Sequence, residues 1–310
     1  MPLLYWFESI RTPALDTFMS LVTHLGEETL FMVIALAVFW CVDKRRGYYL
    51  LTVGFVGTLI NQWLKIVCRV PRPWVRDPDF TIVESARAEA AGYSFPSGHT
   101  QSITGSLGGI ARFTERTWLR AACIAVVLLV AVSRMYLGVH TPADVGVSLA
   151  VGTVLVLVLY PLLESTLWFP GRMYAVIGAM LALSLAFVAF VELWTFPADL
   201  DAANYAAAVK NAYTLLGAVT GVLAVYALDS RLIRFSTRAP WWGQAVKLIG
   251  GLVLVAAVKS ALKAPLLALC GGHAIAHAIR YFAVVLTAGC LWPLTFRFFA
   301  GRSAGTFNKN

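Results

Sequence analysis

A polytopic, all-α bundle of membrane-spanning helices is the fold this chain predicts, and three observations predict it. Of its 310 residues, 59% are hydrophobic and 13% charged, where a soluble domain carries about 25% charged residues. Mean hydropathy is +0.73. Apolar runs recur along the chain, and several reach the ~20 residues that carry a helix across a bilayer. The net charge of +9 would suggest nucleic acid in a soluble protein. Here the positive residues sit mostly in short loops between apolar runs, where membrane topology accounts for them. The expected surroundings are membrane lipids, with no nucleic acid partner. The five cysteines, Cys41, Cys68, Cys123, Cys270 and Cys290, lack metal-ligand spacing and read as free thiols. No metal or cofactor is expected.

The elements follow in order. The start of the chain lacks the basic opening and small-residue cleavage site of a secretory signal. Tyr5, Trp6 and Phe7 stand beside Glu8, a mixture that suits a segment lying in the membrane interface, so residues 1–28 are read as an N-terminal interfacial segment. About nine spans come next, by length and hydropathy. They cover 29–42, 47–67, 97–112, 118–132, 142–161, 172–193, 212–228, 244–270 and 273–298. The third is rich in glycine and small polar residues. Thr141 is a suitable cap for the fifth, with Pro142 at its first helical position. Residues 29–165 are read as a catalytic core and 166–310 as additional transmembrane helices.

The span count can be tested against charge. Loops 43–46, 112–120, 164–172 and 229–238 must share one side, and they hold Lys44, Arg45, Arg46, Arg112, Arg116, Arg120, Arg172, Arg231, Arg234 and Arg238. The positive-inside rule makes that side cytoplasmic. The opposite side then receives the acidic loop with Glu192, Asp199 and Asp201, together with four short stretches that carry chemistry.

Those stretches are Lys65 followed by Arg72-Pro73, Pro96-Ser97-Gly98-His99, Ser133-Arg134, and His140 followed by Asp144. They supply three cations, two histidines and a carboxylate one helical turn after the second histidine. Cleavage of a phosphate ester without a metal needs this set. Cations hold the phosphoryl oxygens, one histidine attacks, the other protonates the leaving group, and an acid orients the attacker. Singly, each residue has a plainer reading: Arg72 as a snorkelling anchor, Asp144 as an acid at a helix start. Their joint spacing outweighs those readings. Asn61, one turn before Lys65, either orients the lysine or bonds a neighbouring helix.

Lys65-x6-Arg72-Pro73, Pro96-Ser97-Gly98-His99 and Ser133-Arg134-x5-His140-x3-Asp144 together resemble the three-part signature of the type-2 phosphatidate phosphatase superfamily. That group includes lipid phosphate phosphatases, glucose-6-phosphatase and vanadium haloperoxidases. The surroundings more loosely resemble its sphingosine-1-phosphate phosphatase branch. The resemblance implies a helical membrane phosphatase working through a phosphohistidine on His140. Asp144 would fix the tautomer of that ring, and His99 would act as acid and then base. Lys65, Arg72, Ser97, Gly98 and Arg134 would hold the phosphate, with Ser97 and Gly98 at a helix start that favours anions.

The second half carries another cation set. Lys259 and Lys263 lie one turn apart in one apolar run, and His273, His277 and Arg280 follow i, i+4, i+7 spacing in the next. Charges inside a membrane face a partner or a polar cavity. Pairing with Glu192 and helix carbonyls is one reading; a second site for an anionic headgroup is the other. The expected whole is an integral membrane lipid phosphate phosphatase, in the inner membrane or the endoplasmic reticulum, with an extracytoplasmic site. Pyrophosphate cleavage, phosphotransfer to an alcohol, a sugar phosphate substrate, or lipid transport on the same fold are the rivals.

Overall fold

The structure, a computed structural model, describes residues 1–88, 90–166, 170–197 and 200–298. Asp199 and residues 167–169, counted above in the acidic and basic loops, and residues 299–310 lie outside the described residues. Every element found among the described residues is helical. The helices are α1 Pro2–Ser9, α2 Pro13–Thr23, α3 Glu28–Ala37, α4 Lys44–Cys68, α5 Pro73–Arg76, α6 Gly98–Ile103, α7 Gly109–Phe113, α8 Thr117–Tyr136, α9 Pro142–Thr166, α10 Pro170–Leu193, α11 Ala202–Leu228, α12 Trp241–Ala261, α13 Lys263–Leu269 and α14 Ile275–Leu286.

Among the described residues, seven helices are long and apolar enough to cross a membrane, and the pair Pro13–Gly26 and Glu28–Val42, bent by 50°, makes up to eight if it is one span. The protein is therefore an integral membrane helical bundle. The third expected span, 97–112, forms but is short and broken: α6, a wide π turn at Thr104–Gly108, then α7. Its side chains explain the break. Thr104 Oγ1 donates back to Thr100 O at 2.7 Å, and Ser106 Oγ to Ser102 O at 3.0 Å. Such back-bonding competes with the regular helical ladder. The first expected span, 29–42, is the second arm of the bent pair, and the polar residues 23–28 form the elbow between its two arms.

Two compact units divide the described chain. Unit 1 comprises Met1–Ile34, Tyr49–Glu164 and Thr195–Ala208; unit 2 comprises Ala35–Tyr48, Ser165–Trp194 and the chain from Val209 on. In unit 1, α1 buries Leu4 against Phe80 and Ile82. Phe7 packs with Ala86, Tyr136, Leu137 and Val139, while Trp6 remains 55% exposed. The amphipathic start of the chain thus braces the turn after α8. Arg11 adds to this by donating to Tyr136 O at 3.1 Å and Thr81 O at 2.9 Å. Gly138 turns the chain there with φ +80°, and a Cβ on it would meet Arg11 Nη2 at 2.9 Å. α2 meets α6 and α8 through Val22, Ile103, Val127 and Val130.

Lipid tails are as apolar as leucine, so helices in a bilayer associate by close packing of small residues. Gly54 lies against Phe31, Gly109 against Leu50 and Gly152 against Thr104. Large apolar side chains on α8 and α9 point outward instead: Trp118, Ile124, Leu128, Val154, Leu157 and Val158 are all exposed, as a lipid-facing surface requires. Unit 2 is built the same way, with Gly217 of α11 tight against Ala278 of α14 and Gly221 against Val285. Lys44 pairs with Asp229 at 2.8 Å, and the buried Lys247 donates to the carbonyls of Ser236, Thr237 and Arg238.

Candidate active site

The end of α4, the segment 69–97, the start of α6, the turn between α8 and α9, and the elbow after α2 meet in unit 1. They bring Lys65, Arg72, His99, Arg134, His140 and Asp144 into one electrostatic cluster.

His140 is the centre of it. The residue is 2% exposed and sits in the turn just before α9. Its Nδ1 faces Asp144 Oδ2 at 3.5 Å, and its Nε2 lies 3.0 Å from Arg72 Nη1. The ring is outside the spanning helices. Burial first, then the charges of Arg72 and Arg134, push it well below the ordinary histidine value of 6.5. It is neutral at pH 7, with one nitrogen toward an acid and the other toward a cation.

Asp144 is fixed by the backbone that begins α9. Its Oδ2 accepts from Thr141 N at 2.7 Å, while Asp144 N donates to Thr141 Oγ1 at 3.3 Å. This reciprocal pair is a capping box, in which a helix start satisfies its own orphan N–H groups. The same Oδ2 accepts from Ser94 Oγ at 2.5 Å. The helix cap and the orientation of the histidine's partner are one structural device.

Arg72 and Lys65 are held by peptide oxygens and Arg134 by a hydroxyl. Arg72, 6% exposed, donates to Val139 O at 2.9 Å, Gly92 O at 3.0 Å and Ala91 O at 3.1 Å. Lys65 Nζ donates to Tyr93 O at 2.7 Å. Arg134 is fully buried and donates to Thr23 Oγ1 at 2.6 Å. The partners of Arg72 and Lys65 are neutral carbonyl oxygens, which hold the two cations without cancelling their charge. Ser97 caps α6, its Oγ accepting from Thr100 N at 3.4 Å, and Ser97 O accepts from Ser148 Oγ at 2.9 Å. Nothing lies within 4 Å of where a Cβ on Gly98 would sit, so the backbone there is open to close approach. His99 follows, within electrostatic reach of Arg134, Arg72, His24 and Lys65. A Cβ on Gly26 would come within 2.9 Å of His99 O, so the elbow braces the histidine.

Several members were not foreseen in the sequence. Ser94, Thr23 and Ser148 position Asp144, Arg134 and Ser97, beside Thr141, which was expected as the cap. Glu28 acts electrostatically on Lys65. The one visible signal was the polar run Thr23, His24, Glu27 and Glu28 inside an otherwise apolar stretch. Asn61 is buried and neither of its amide atoms finds a partner. A cleft of about 700 Å³ opens beside the cluster, lined by Cys68, Arg69, Arg72, Tyr93, Leu200 and Asn204 among others. Among the described residues no three His, Cys, Asp or Glu side chains gather as metal ligands would.

The second cation set is placed differently from its expected pattern. Lys259 and Lys263 are exposed and separated by a break at Leu262 between α12 and α13. His273 precedes α14, its Nδ1 accepting from Ile275 N at 3.1 Å and its ring 5.6 Å from that of Tyr213. Only His277 and Arg280 lie on the helix itself. Glu192 is hydrogen-bonded to Tyr213 rather than paired with a lysine.

Residues 46–168 match the model of the PAP2 superfamily. Residues 213–304 match the model described as PAP2 superfamily phosphatase, transmembrane extension. The chain is 29% identical over 163 residues to phosphatidylglycerophosphatase B of Bacillus subtilis (strain 168), covering 47% of this chain and 74% of that protein. It is 29% identical over 150 residues to undecaprenyl-diphosphatase BcrC of the same strain, covering 47% of this chain and 74% of that protein. It is 26% identical over 148 residues to sphingosine-1-phosphate phosphatase 1 of Rattus norvegicus, covering 46% of this chain and 34% of that protein, about a third of its length.

Proposed function

Since the chain belongs to the PAP2 superfamily, we propose that this integral membrane phosphatase hydrolyses lipid phosphate monoesters or diphosphates through a phosphohistidine on His140. The observation that carries the reading is His140 itself: neutral, backed on Nδ1 by Asp144, with Nε2 turned into a set of cations held by peptide and hydroxyl oxygens.

The chemistry follows from the geometry. A phosphoryl group entering the cluster takes over the donors of Arg72, Lys65 and Arg134, displacing Arg72 Nη1 from Nε2. Nε2 attacks phosphorus along the line opposite the ester oxygen. The N–P bond forms and the P–O bond breaks; His99, which takes up a proton once the phosphate's negative charge offsets the cations around it, gives that proton to the leaving alkoxide. Asp144 stabilises the charge that develops on the ring and keeps the proton on Nδ1. Water then attacks phosphorus, His99 takes its proton, and the N–P bond breaks to release inorganic phosphate. Cations arranged in advance stabilise the equatorial oxygens in both steps, which is where phosphoryl transfer gains most of its rate. Hydrogen bonds such as the 3.5 Å contact from Nδ1 to Asp144 are often long before substrate binds and tighten in the transition state.

Residues 29–165 form the catalytic core in this reading, and the later helices are an addition to it. The basic loops support an extracytoplasmic site. Lipid substrates are favoured by the membrane setting and by the activities for which the relatives are named. Their names span a glycerophospholipid, a polyprenyl diphosphate and a sphingoid phosphate, so the class proposed is the lipid phosphate headgroup.

One assay tests the proposal. Sealed right-side-out vesicles holding the protein are given lipid phosphates, a lipid diphosphate and a membrane-impermeant sugar phosphate, with and without EDTA. Lipid phosphate should be cleaved without permeabilisation and at the same rate after chelation. Preference for the sugar phosphate, need for permeabilisation, or loss of activity restored by magnesium would each contradict a stated part.

A further inference from the structure

Unit 2 holds cations that this reaction does not use. Arg280 lies in the second turn of α14, near one end of its span. It is 5% exposed, and its Nε has no hydrogen-bond partner. The guanidinium carbon lies 5.0 Å from the Tyr281 ring, a contact that leaves its N–H donors unused. None of the ion pairs among the described residues includes Arg280, Lys210 or Lys263. A buried, unpaired guanidinium is costly, and an anion removes that cost.

The surroundings complete a site. His277 sits three residues before Arg280 on the same helix face. Arg280, Lys210 and Lys263 all act electrostatically on its ring. Lys210 and Lys263 are exposed. On α11, Thr214 Oγ1 is buried without a partner, one turn before Gly217, which packs on Ala278. The seam between the two helices therefore collects donors from both, and the nearby carboxylate of Glu192 is hydrogen-bonded to Tyr213.

We propose that Lys210, Lys263, His277 and Arg280 bind a phosphate-bearing anion, with the exposed lysines at the mouth and the buried guanidinium at the base. A guanidinium takes a phosphate through two parallel N–H donors, and flanking ammoniums draw the charge in. The group recognised is the phosphate itself, carried by an anionic lipid headgroup or free in solution.

The test uses the full chain, purified in neutral detergent. It is titrated with phosphatidylglycerol in phosphatidylcholine micelles, and separately with inorganic phosphate, reading Tm and lipid retained in native mass spectrometry. Phosphatidylglycerol carries no phosphomonoester to cleave, so turnover does not intrude. Lys210→Ala with Lys263→Ala removes two exposed charges and leaves the packing alone; Arg280→Met removes the base. The anion should stabilise the unaltered protein, with binding weakened roughly tenfold or more in each variant. Cleavage of a short soluble phosphate ester should be unchanged in the double lysine variant. Stabilisation by phosphatidylglycerol alone assigns the site to a lipid headgroup, and stabilisation by inorganic phosphate as well assigns it to any phosphate. Equal anion binding by the unaltered protein and the double lysine variant, or no stabilisation of the unaltered protein by either anion, would overturn the proposal.

Discussion

Both compact units gather cations near the ends of apolar helices, yet only one of the two sets has a base set against it. In unit 1, Arg72 is fixed by three carbonyl oxygens, Lys65 by one and Arg134 by the hydroxyl of Thr23. His140 stands among them with Asp144 behind it. In unit 2, Lys259 and Lys263 are exposed and Arg280 Nε has no partner. His273 is occupied with the first turn of α14, and no described acid backs His277. A cation cluster alone binds anions. A neutral imidazole oriented by a carboxylate gives a cluster a nucleophile.

Removing the base from unit 1 should erase that contrast. His140→Ala is expected to lower phosphate release by on the order of ten-thousand-fold or more, while substrate lipid still co-purifies with the folded protein. The variant would bind as unit 2 is proposed to bind. Near-normal release would mean that the two clusters do not differ in the way described here.

Removing the orientation and keeping the base should cost less. Asp144→Asn preserves shape but takes away the negative charge that stabilises the proton on Nδ1. We expect kcat to fall by roughly a hundred- to ten-thousand-fold, with KM little changed. An equal rise in KM would assign Asp144 to phosphate binding through the cap alone.

The smallest effect concerns pH. The free ring of His140 is held below its ordinary value of 6.5 by burial and by Arg72 and Arg134. A lowered value means that the neutral, nucleophilic form is present at pH 6.5 and above, and is lost only as pH falls well below it. The acid limb of kcat/KM, which reports the free enzyme, should therefore have its midpoint below 6.5. A midpoint at or above 6.5 would place His140 in a wet environment like that of an exposed histidine.

The fold class was legible because run length and charge depletion are local properties, and they decide membrane crossing. The break in the third span was not, although its glycines, serines and threonines were noted. Whether a hydroxyl donates back to its own helix depends on its rotamer in the packed bundle. The 50° bend at residues 23–28 was not legible either, because hydropathy does not report the angle at which two apolar helices meet. In the site, the spacing from His140 to Asp144 was readable, since a helix fixes what lies one turn on. Ser94 and Thr23 were not. Each reaches its partner through the tertiary fold, Ser94 across 50 residues to Asp144 and Thr23 across 111 to Arg134, and neither has a residue type that separates it from an ordinary hydroxyl. His273 was placed on a helix face because the sequence pattern ran two residues past the true start of α14, the usual size of a boundary error.

The central claim is that phosphate passes through His140 Nε2. Rapid-quench of the enzyme with radiolabelled lipid phosphate, followed by alkaline digestion and peptide mass spectrometry, tests it directly. The account predicts an acid-labile, alkali-stable phosphate on His140, formed and lost at rates that match turnover, and absent from His140→Ala. A phosphate on His99, or full turnover with no phosphoenzyme at any time point, would contradict it.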